Sequence, residues 1–374
     1  MEQLENELRE RIGIDRSVVF GFDIERISSR ILYAKIDSHV EGRYVDLALS
    51  PKSPVKMDNG EGISRLTIKD KQVGMVTIKY DQKADEVTNK LKLTISSDGN
   101  NLQNLSASEY QQRVQEVFSY LDLVYGITAD YDNLRIKELE LNATFFLAEK
   151  YEQYKDPILM IMRNAPAKRF SDNGNNLVKY ATWYQANLAA QEDKLETALI
   201  KNKSIELKIY NKSRWLKDKH YFPLTDNRDL MRIEYRIMDS RLLQTHFGDN
   251  LVTSLSDNKI NEMYKKYFIR DVIEPWKKWH EKNLEELTEM AQRHRIAEKH
   301  WVSFFLREAR QYTATHGFPV LFDLADMRQV FKRMGDGKNA GKKYKRFLSQ
   351  AIYERDLLGN TGRMEEIINK IMNL

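Results

Sequence analysis

Ser204-Ile205-Glu206-Leu207-Lys208-Ile209-Tyr210-Asn211-Lys212 and, after a polar loop, Leu230-Met231-Arg232-Ile233-Glu234-Tyr235-Arg236-Ile237 carry the pattern on which the fold turns. In both stretches apolar side chains occupy every second position, so an extended chain has one apolar and one polar face. The period predicts two half-buried strands whose polar faces meet water. Those faces hold Glu206, Lys208 and Tyr210 on one strand and Arg232, Glu234 and Arg236 on the other. A tyrosine beside carboxylates and cations suits phosphoryl transfer on DNA. An ordinary solvated sheet face accounts for the same residues strand by strand.

Working outward, the first hundred residues read as short strands: Ile31 to Ile36, Tyr44 to Leu49, Ile63 to Lys69, Val73 to Tyr80 and Lys90 to Ile95. Asp98-Gly99-Asn100-Asn101 ends that pattern. Ser106-Ala107-Ser108-Glu109 is a capping box, predicting a helix that runs through Val114, Val117, Phe118 and Leu121 and stops at Gly126. Asn133 to Asn142 alternates again, and Leu177 to Ala190 has helical spacing. From about Asp257 the chain turns to long, charged, helix-period segments: Lys259 to Arg270, Val272 to Lys299, Trp301 to Thr313, Leu324 to Arg333 and Lys342 to Leu358. The expected class is α+β, an antiparallel-sheet domain over 1–253 followed by an all-α domain over 254–374.

The chain has 374 residues, 41% of them hydrophobic and 31% charged, which describes a globular protein rather than a disordered or membrane-spanning one. It contains no cysteine, which excludes a disulfide framework, a thiolate metal site and a cysteine nucleophile. The acidic start, Met1 to Glu7, has no apolar signal core, so a cytoplasmic location is expected. The net charge of +5 is unevenly spread. Between Arg328 and Arg346 eight Lys or Arg residues face a single acid, Asp336, a density that suits phosphate backbones.

Three groups are candidates for chemistry. Glu138 and Glu140, two apart on a strand, project from one face and can share a divalent cation; Asn142 extends that face, and Asp46 is a weaker candidate. A wet pair of glutamates is the plain alternative. Tyr210, with Lys208 and Lys212 nearby, can serve as a phosphodiester nucleophile, and Tyr180 and Tyr184 compete with it at helical i, i+4 spacing. With 19 tyrosines in the chain, most simply cover core edges. Arg328, Lys332 and Arg333, then Lys342, Lys343, Lys345 and Arg346 across a glycine-broken turn, are candidate DNA contacts in a helix-turn-helix arrangement. The sequence has no Walker loop, no GxGxxG after a strand, no GxSxG and no HExxH, which disfavours nucleotide hydrolysis and dehydrogenase chemistry.

The order of these parts resembles the rolling-circle replication initiators of phages and plasmids, especially the gene II/X-like and Rep_trans groups. The resemblance rests on Arg135-Ile136-Lys137-Glu138-Leu139-Glu140-Leu141, on Lys203-Ser204 leading into Leu207 to Lys212, and on Met231 to Arg236. It covers roughly Leu121 to Gly248, about a third of the chain. It implies a Rep-like nicking domain that binds its origin, cuts one strand with Mg²⁺ or Mn²⁺ and remains attached through a tyrosine. Carried over, Glu138 and Glu140 fall on the acidic strand, Tyr210 and Lys212 on a "YDK"-like strand, and Arg232 and Glu234 on an "RIE"-like strand. Leu199 stands where the plasmid group has its tyrosine, and Lys137 or Glu138 and Asn211 stand at aspartate positions. Expected partners are origin DNA, duplex and single-stranded, with a host helicase and a second copy of the chain as further candidates. No membrane partner is expected, and the expected location is the bacterial cytoplasm. A non-catalytic origin-binding protein that recruits host machinery is the alternative.

Overall fold

The computed structural model describes residues 10–20, 23–34, 44–70, 74–81, 86–88, 93–96, 104–130, 133–164, 197–218, 228–293, 300–304, 307, 326–335, 339–351 and 361–374. The fold is mixed: antiparallel sheet in the first part of the chain, helices in the last. Among the described residues no helix is long and apolar enough to cross a membrane. The chain divides into two compact units. Unit one comprises Met1–Thr144, Lys203–Glu206 and Glu234–Tyr264, and unit two comprises Phe145–Asn202, Leu207–Ile233 and Lys265–Leu374.

In unit one, β1 (Ile12–Phe20) lies between β7 (Leu93–Ser96) and β9 (Arg135–Phe146), antiparallel to both. The sheet continues through β12 (Leu230–Ile237) to β11 (Ile205–Asn211), of which unit one holds Glu234–Ile237 and Ile205–Glu206. A four-stranded meander, β3 (Tyr44–Leu49), β4 (Ile63–Asp70), β5 (Gly74–Asp81) and β6 (Glu86–Thr88), and the pair β2 (Asp23–Ile27) with β8 (Ile127–Asp130) complete its strands.

The expected strand from Ile31 is instead a helical turn, α1 (Ile31–Ala34), with residues 35–36 outside the described set. Local bonds overrode β-propensity there. The Ser29 amide donates to Asp58 Oδ1 at 2.8 Å, and the Leu32 and Tyr33 amides close onto Ser29 and Arg30. Ile31 is buried while Tyr33 is 71% exposed, so only one residue of the apolar run finds the core.

The capping box at Ser106 forms as expected. Ser106 Oγ accepts from the Glu109 amide and Glu109 Oε2 accepts from the Ser106 amide at 2.8 Å, starting α2 (Ala107–Tyr120). Asp257 Oδ1 adds a second acceptor at that end, on the Ala107 amide. Tyr110, Val114, Val117 and Phe118 recur along one buried face. Tyr110 donates to or accepts from Ser17 Oγ on β1 at 2.5 Å, and its burial pushes the phenol far above the usual tyrosine range. The helix relaxes into a π-turn (Leu121–Tyr125) and stops at Gly126, φ +68°. A side chain at Gly126 would come within 2.5 Å of Ser28 Cβ, so glycine is needed for both its dihedral and the close approach.

In unit two, β10 (Thr197–Lys201) joins the remaining parts of β11 and β12. The helices are α3 (Lys155–Asn164), α4 (Lys212–Asp218), α7 (Glu274–Arg293), α8 (Asp326–Arg333), α9 (Ala340–Ala351) and α10 (Thr361–Asn373); α5 (Ser240–Phe247) and most of α6 (Asp257–Phe268) belong to unit one. Leu284, Leu287 and Ala291 of α7 pack with Trp301, Phe304, Met327, Val330, Phe331 and Phe347 into one core, with the Trp301 and Phe331 rings 4.4 Å apart. The terminal helix is tied by Glu366, which accepts from the Ala148 amide at 2.9 Å and from the Tyr154 hydroxyl, and by the Arg363–Glu149 pair.

One expectation for the leading strands is overturned. β11 and β12 exist at the expected places, but their polar faces are not solvated. All of β12 except Arg236 is buried, including Arg232 at 0% and Glu234 at 4% exposure, and Tyr210 is buried as well. Alternation reports which residues differ in polarity across a strand, not whether the polar side is itself covered. The predicted helix Leu177 to Ala190, with Tyr180 and Tyr184, lies outside the described residues.

Candidate metal centre

Asp15, Glu140 and Glu234 come together in unit one, with one carboxylate oxygen of each within 4.8 Å of the others. Three strands deliver them. Glu140 sits opposite Arg16 in the β1–β9 ladder, and the next pair is Ile14 with Leu141, so Asp15 is an extra residue on β1. Such a bulge bends the strand and re-aims the extra side chain. Glu234 arrives from β12 and is buried, while Asp15 and Glu140 are half-buried.

Glu138, the strand neighbour of Glu140 on the same face, has a different fate. Its carboxylate accepts from Arg236 Nη2 at 2.6 Å. Burial works against the charge of Arg236, but Glu138 outweighs it, by hydrogen bond and by Coulomb attraction, with further support from Glu206 and Glu140; the guanidinium's pKa is raised. Glu138 is therefore engaged by a cation, whereas Glu140 joins the carboxylate group. Arg16, Glu138, Glu140 and Arg236 line a small cleft on this face.

Three ionised carboxylates this close repel one another by about 3–4 kcal/mol per pair at an effective dielectric of about 20. A divalent cation relieves that repulsion. The donors are all oxygen and the chain has no cysteine, a set that suits Mg²⁺ or Mn²⁺ and not soft metals. Octahedral Mg²⁺ with bonds of about 2.1 Å needs its ligand oxygens within about 4.2 Å of one another, so the observed spread fits after a small inward movement.

The tyrosine group lies in unit two. Lys208 Nζ stands 4.2 Å from the Tyr210 ring centroid and Lys212 Nζ 5.9 Å from it, while Lys212 also lies 3.7 Å above the Trp215 ring. Lys212 is fully buried. Asn211 closes β11 and opens α4, its Oδ1 accepting from the Arg214 amide at 3.0 Å. Asn and Asp cap helices about equally well, so the exchange of aspartate for Asn211 leaves this local structure intact.

The C-terminal cations divide by contact. Arg333 Nη2 bonds both carboxylate oxygens of Glu281, at 2.8 and 2.9 Å, and holds that carboxyl below its usual range. Lys343 Nζ lies 5.3 Å over the Trp301 ring. Arg328, Lys332, Lys342, Lys345 and Arg346 are exposed. On α9, Lys342, Lys345 and Arg346 fall on the side opposite the buried Ala340 and Phe347, and the helix contains no acid. The weaker candidate Asp46 pairs with Arg65 across the meander at 2.9 Å.

Asp15 is the group member that sequence reading did not single out. Its signal is the slip of apolar phase in Ile12-Gly13-Ile14-Asp15-Arg16-Ser17-Val18-Val19, where buried positions 12 and 14 give way to 17, 18 and 19. Compared with models of known protein families and with curated proteins, the chain matches none.

Proposed function

We propose that this chain is a DNA replication initiator that binds its origin and nicks one strand by metal-assisted tyrosine transesterification. The observation that supports this reading is the convergence of Asp15, Glu140 and Glu234 from three strands into one oxygen-lined group. Mg²⁺ or Mn²⁺ bound there would supply polarisation of the scissile phosphate. A tyrosine hydroxyl gives its proton to solvent and its oxygen bonds the phosphorus; the P–O3′ bond breaks and the 3′ oxygen takes up a proton. Tyr210 is the first candidate and Tyr184 the next. Lys212 and Arg232 are the candidate cations for the developing charge. The exposed cations of α8 and α9 serve duplex binding.

A second reading is favoured by one observation: Tyr210 is only 5% exposed. A protein that binds the origin and recruits host machinery without cutting needs no reachable tyrosine.

Supercoiled plasmid carrying the element's own origin is incubated with the protein in EDTA, Mg²⁺ or Mn²⁺ and run on a denaturing gel. The expected result is a metal-dependent protein–DNA adduct that Glu140→Gln reduces at least 100-fold and that Tyr210→Phe abolishes. Tight origin binding with no adduct in any metal moves the assignment to the recruiting protein.

A further inference from the structure

Unit two contains a groove of about 460 Å³ that plays no part in the reading above. It is lined by Asn164 at the end of α3, by Arg270 in the π-turn Ile269–Ile273, and by Glu274, Pro275, Lys278, Trp279 and Lys282 along α7. Arg270, Glu274, Lys278 and Lys282 recur every four residues, so they form one line about 18 Å long at 1.5 Å per residue. Three of the four are cations, and Lys278 and Lys282 are exposed. Lys282 meets Glu286 only at 3.6 Å, a solvent-exposed pair of small worth.

Arg270 is held in place without spending its hydrogen-bonding capacity. Its guanidinium lies 4.5 Å from the Tyr267 ring centroid and 3.4 Å from the Asp271 carboxylate, yet Nε and Nη2 make no hydrogen bond. Beside it, Trp279 is half-buried and stacks on Trp276 with centroids 5.7 Å apart and planes 28° apart. Trp276 in turn stacks on His280 at 4.7 Å. The indole is thus fixed from behind.

A fixed aromatic platform within a line of cations matches a polyanion that carries flat rings. In a duplex the bases are stacked on one another and cannot reach a tryptophan inside a groove, whereas an unpaired strand offers both bases and phosphates. We propose that this groove binds single-stranded DNA, with a base stacked on Trp279 and phosphates met by Arg270, Lys278 and Lys282. The assignment of DNA rests on the proposed function; the groove chemistry itself calls for a single strand.

The test uses the full chain in EDTA with fluorescein-labelled dT12, read by fluorescence anisotropy. Wild type is expected to bind saturably. Trp279→Ala should weaken binding about tenfold or more, the scale of one base–aromatic stack, while Trp279→Phe retains most of it. The triple variant Arg270→Gln/Lys278→Gln/Lys282→Gln, whose changes touch little of the core, should lower the log Kd against log salt slope by about two. Wild-type binding of dT12 by all these variants, no binding of dT12 by wild type, or tighter binding of labelled rU12 would each overturn the proposal. Because EDTA silences metal chemistry, the outcomes separate. A chain that nicks its origin but whose variants hold dT12 normally loses the groove alone, and one that binds dT12 through Trp279 but never nicks loses the catalytic reading alone.

Discussion

Unit one gathers its unusual charges on a sheet and unit two gathers its own on helices, and the two surfaces do opposite things with them. Neighbouring strands lie about 4.8 Å apart, so side chains from three strands can be driven into one point, as Asp15, Glu140 and Glu234 are. Residues on a helix face stand about 5–6 Å apart along a solvated stripe. The cations of α9 and of the α7 groove are therefore spread in lines. Convergence makes a place for one concentrated opposite charge; dispersion makes a track for an extended one. The same contrast separates Glu138 from Glu140. They are two residues apart on one strand face, but Arg236 of β12 takes the first and the carboxylates of β1 and β12 meet the second.

The largest expected effect tests what holds the helical side. Phe331 is fully buried against Trp301 and Phe347, and Phe331→Ala should cost about 3–5 kcal/mol in equilibrium denaturation. A cost below 1 kcal/mol would mean this core collapses readily around a cavity.

Convergence is tested by charge rather than size. Asp15→Asn removes one of three repelling carboxylates at nearly constant shape. In EDTA it should raise stability by about 1 kcal/mol, a fraction of the bare repulsion because water screens it. In wild type, millimolar Mn²⁺ should raise the melting temperature, and in Asp15→Asn that rise should shrink or vanish. Equal metal responses of the two proteins would remove Asp15 from any metal site.

Ser106→Ala deletes one half of the capping box at α2 and should cost about 1 kcal/mol in urea denaturation. Asp257 remains on the Ala107 amide, so a loss well under that figure would show that the second acceptor suffices.

The smallest effect belongs to the dispersed side. Arg333 depresses the pKa of Glu281, and a group whose folded pKa is lowered stabilises above its unfolded value and loses that contribution as pH falls through the folded one. Glu281 is 56% exposed, so only a few tenths of a kcal/mol are at stake. The stability gap between wild type and Arg333→Gln should be present at pH 6 and close below about pH 4. A gap that is flat with pH would assign the loss to packing of the arginine stem.

Much of the fold was legible because its signals are local. The box at Ser106, the stop at Gly126, the alternation of β9, β11 and β12 and the basic, acid-free α9 each depend on residues within a turn or two of one another. Ile31 to Ala34 was misread because one bond from Asp58, 29 residues away, helps fix a helical turn where propensity favours a strand.

The candidate site was legible only in part. Glu138 and Glu140 are visible as a pair in the sequence, and strand geometry guarantees them a common face. Which of the two would meet other carboxylates was not visible, because that depends on register with β1 and β12 and on one extra residue at Asp15. The covering of Arg232, Glu234 and Tyr210 was equally hidden, since burial of a polar face is decided by what packs on it.

The sequence by itself determined where strands and helices begin and end, which faces are apolar, that any metal must be held by oxygen, and where positive charge concentrates. Those properties follow from side-chain chemistry and short-range periodicity. Only the tertiary structure decided that Asp15 joins Glu140 and Glu234, that Arg236 claims Glu138, and that Trp279 stands among Arg270, Lys278 and Lys282. Each of these unites residues from separate elements, or fixes one ring on another. Such meetings are set by strand register and helix packing, which no local window of the chain contains.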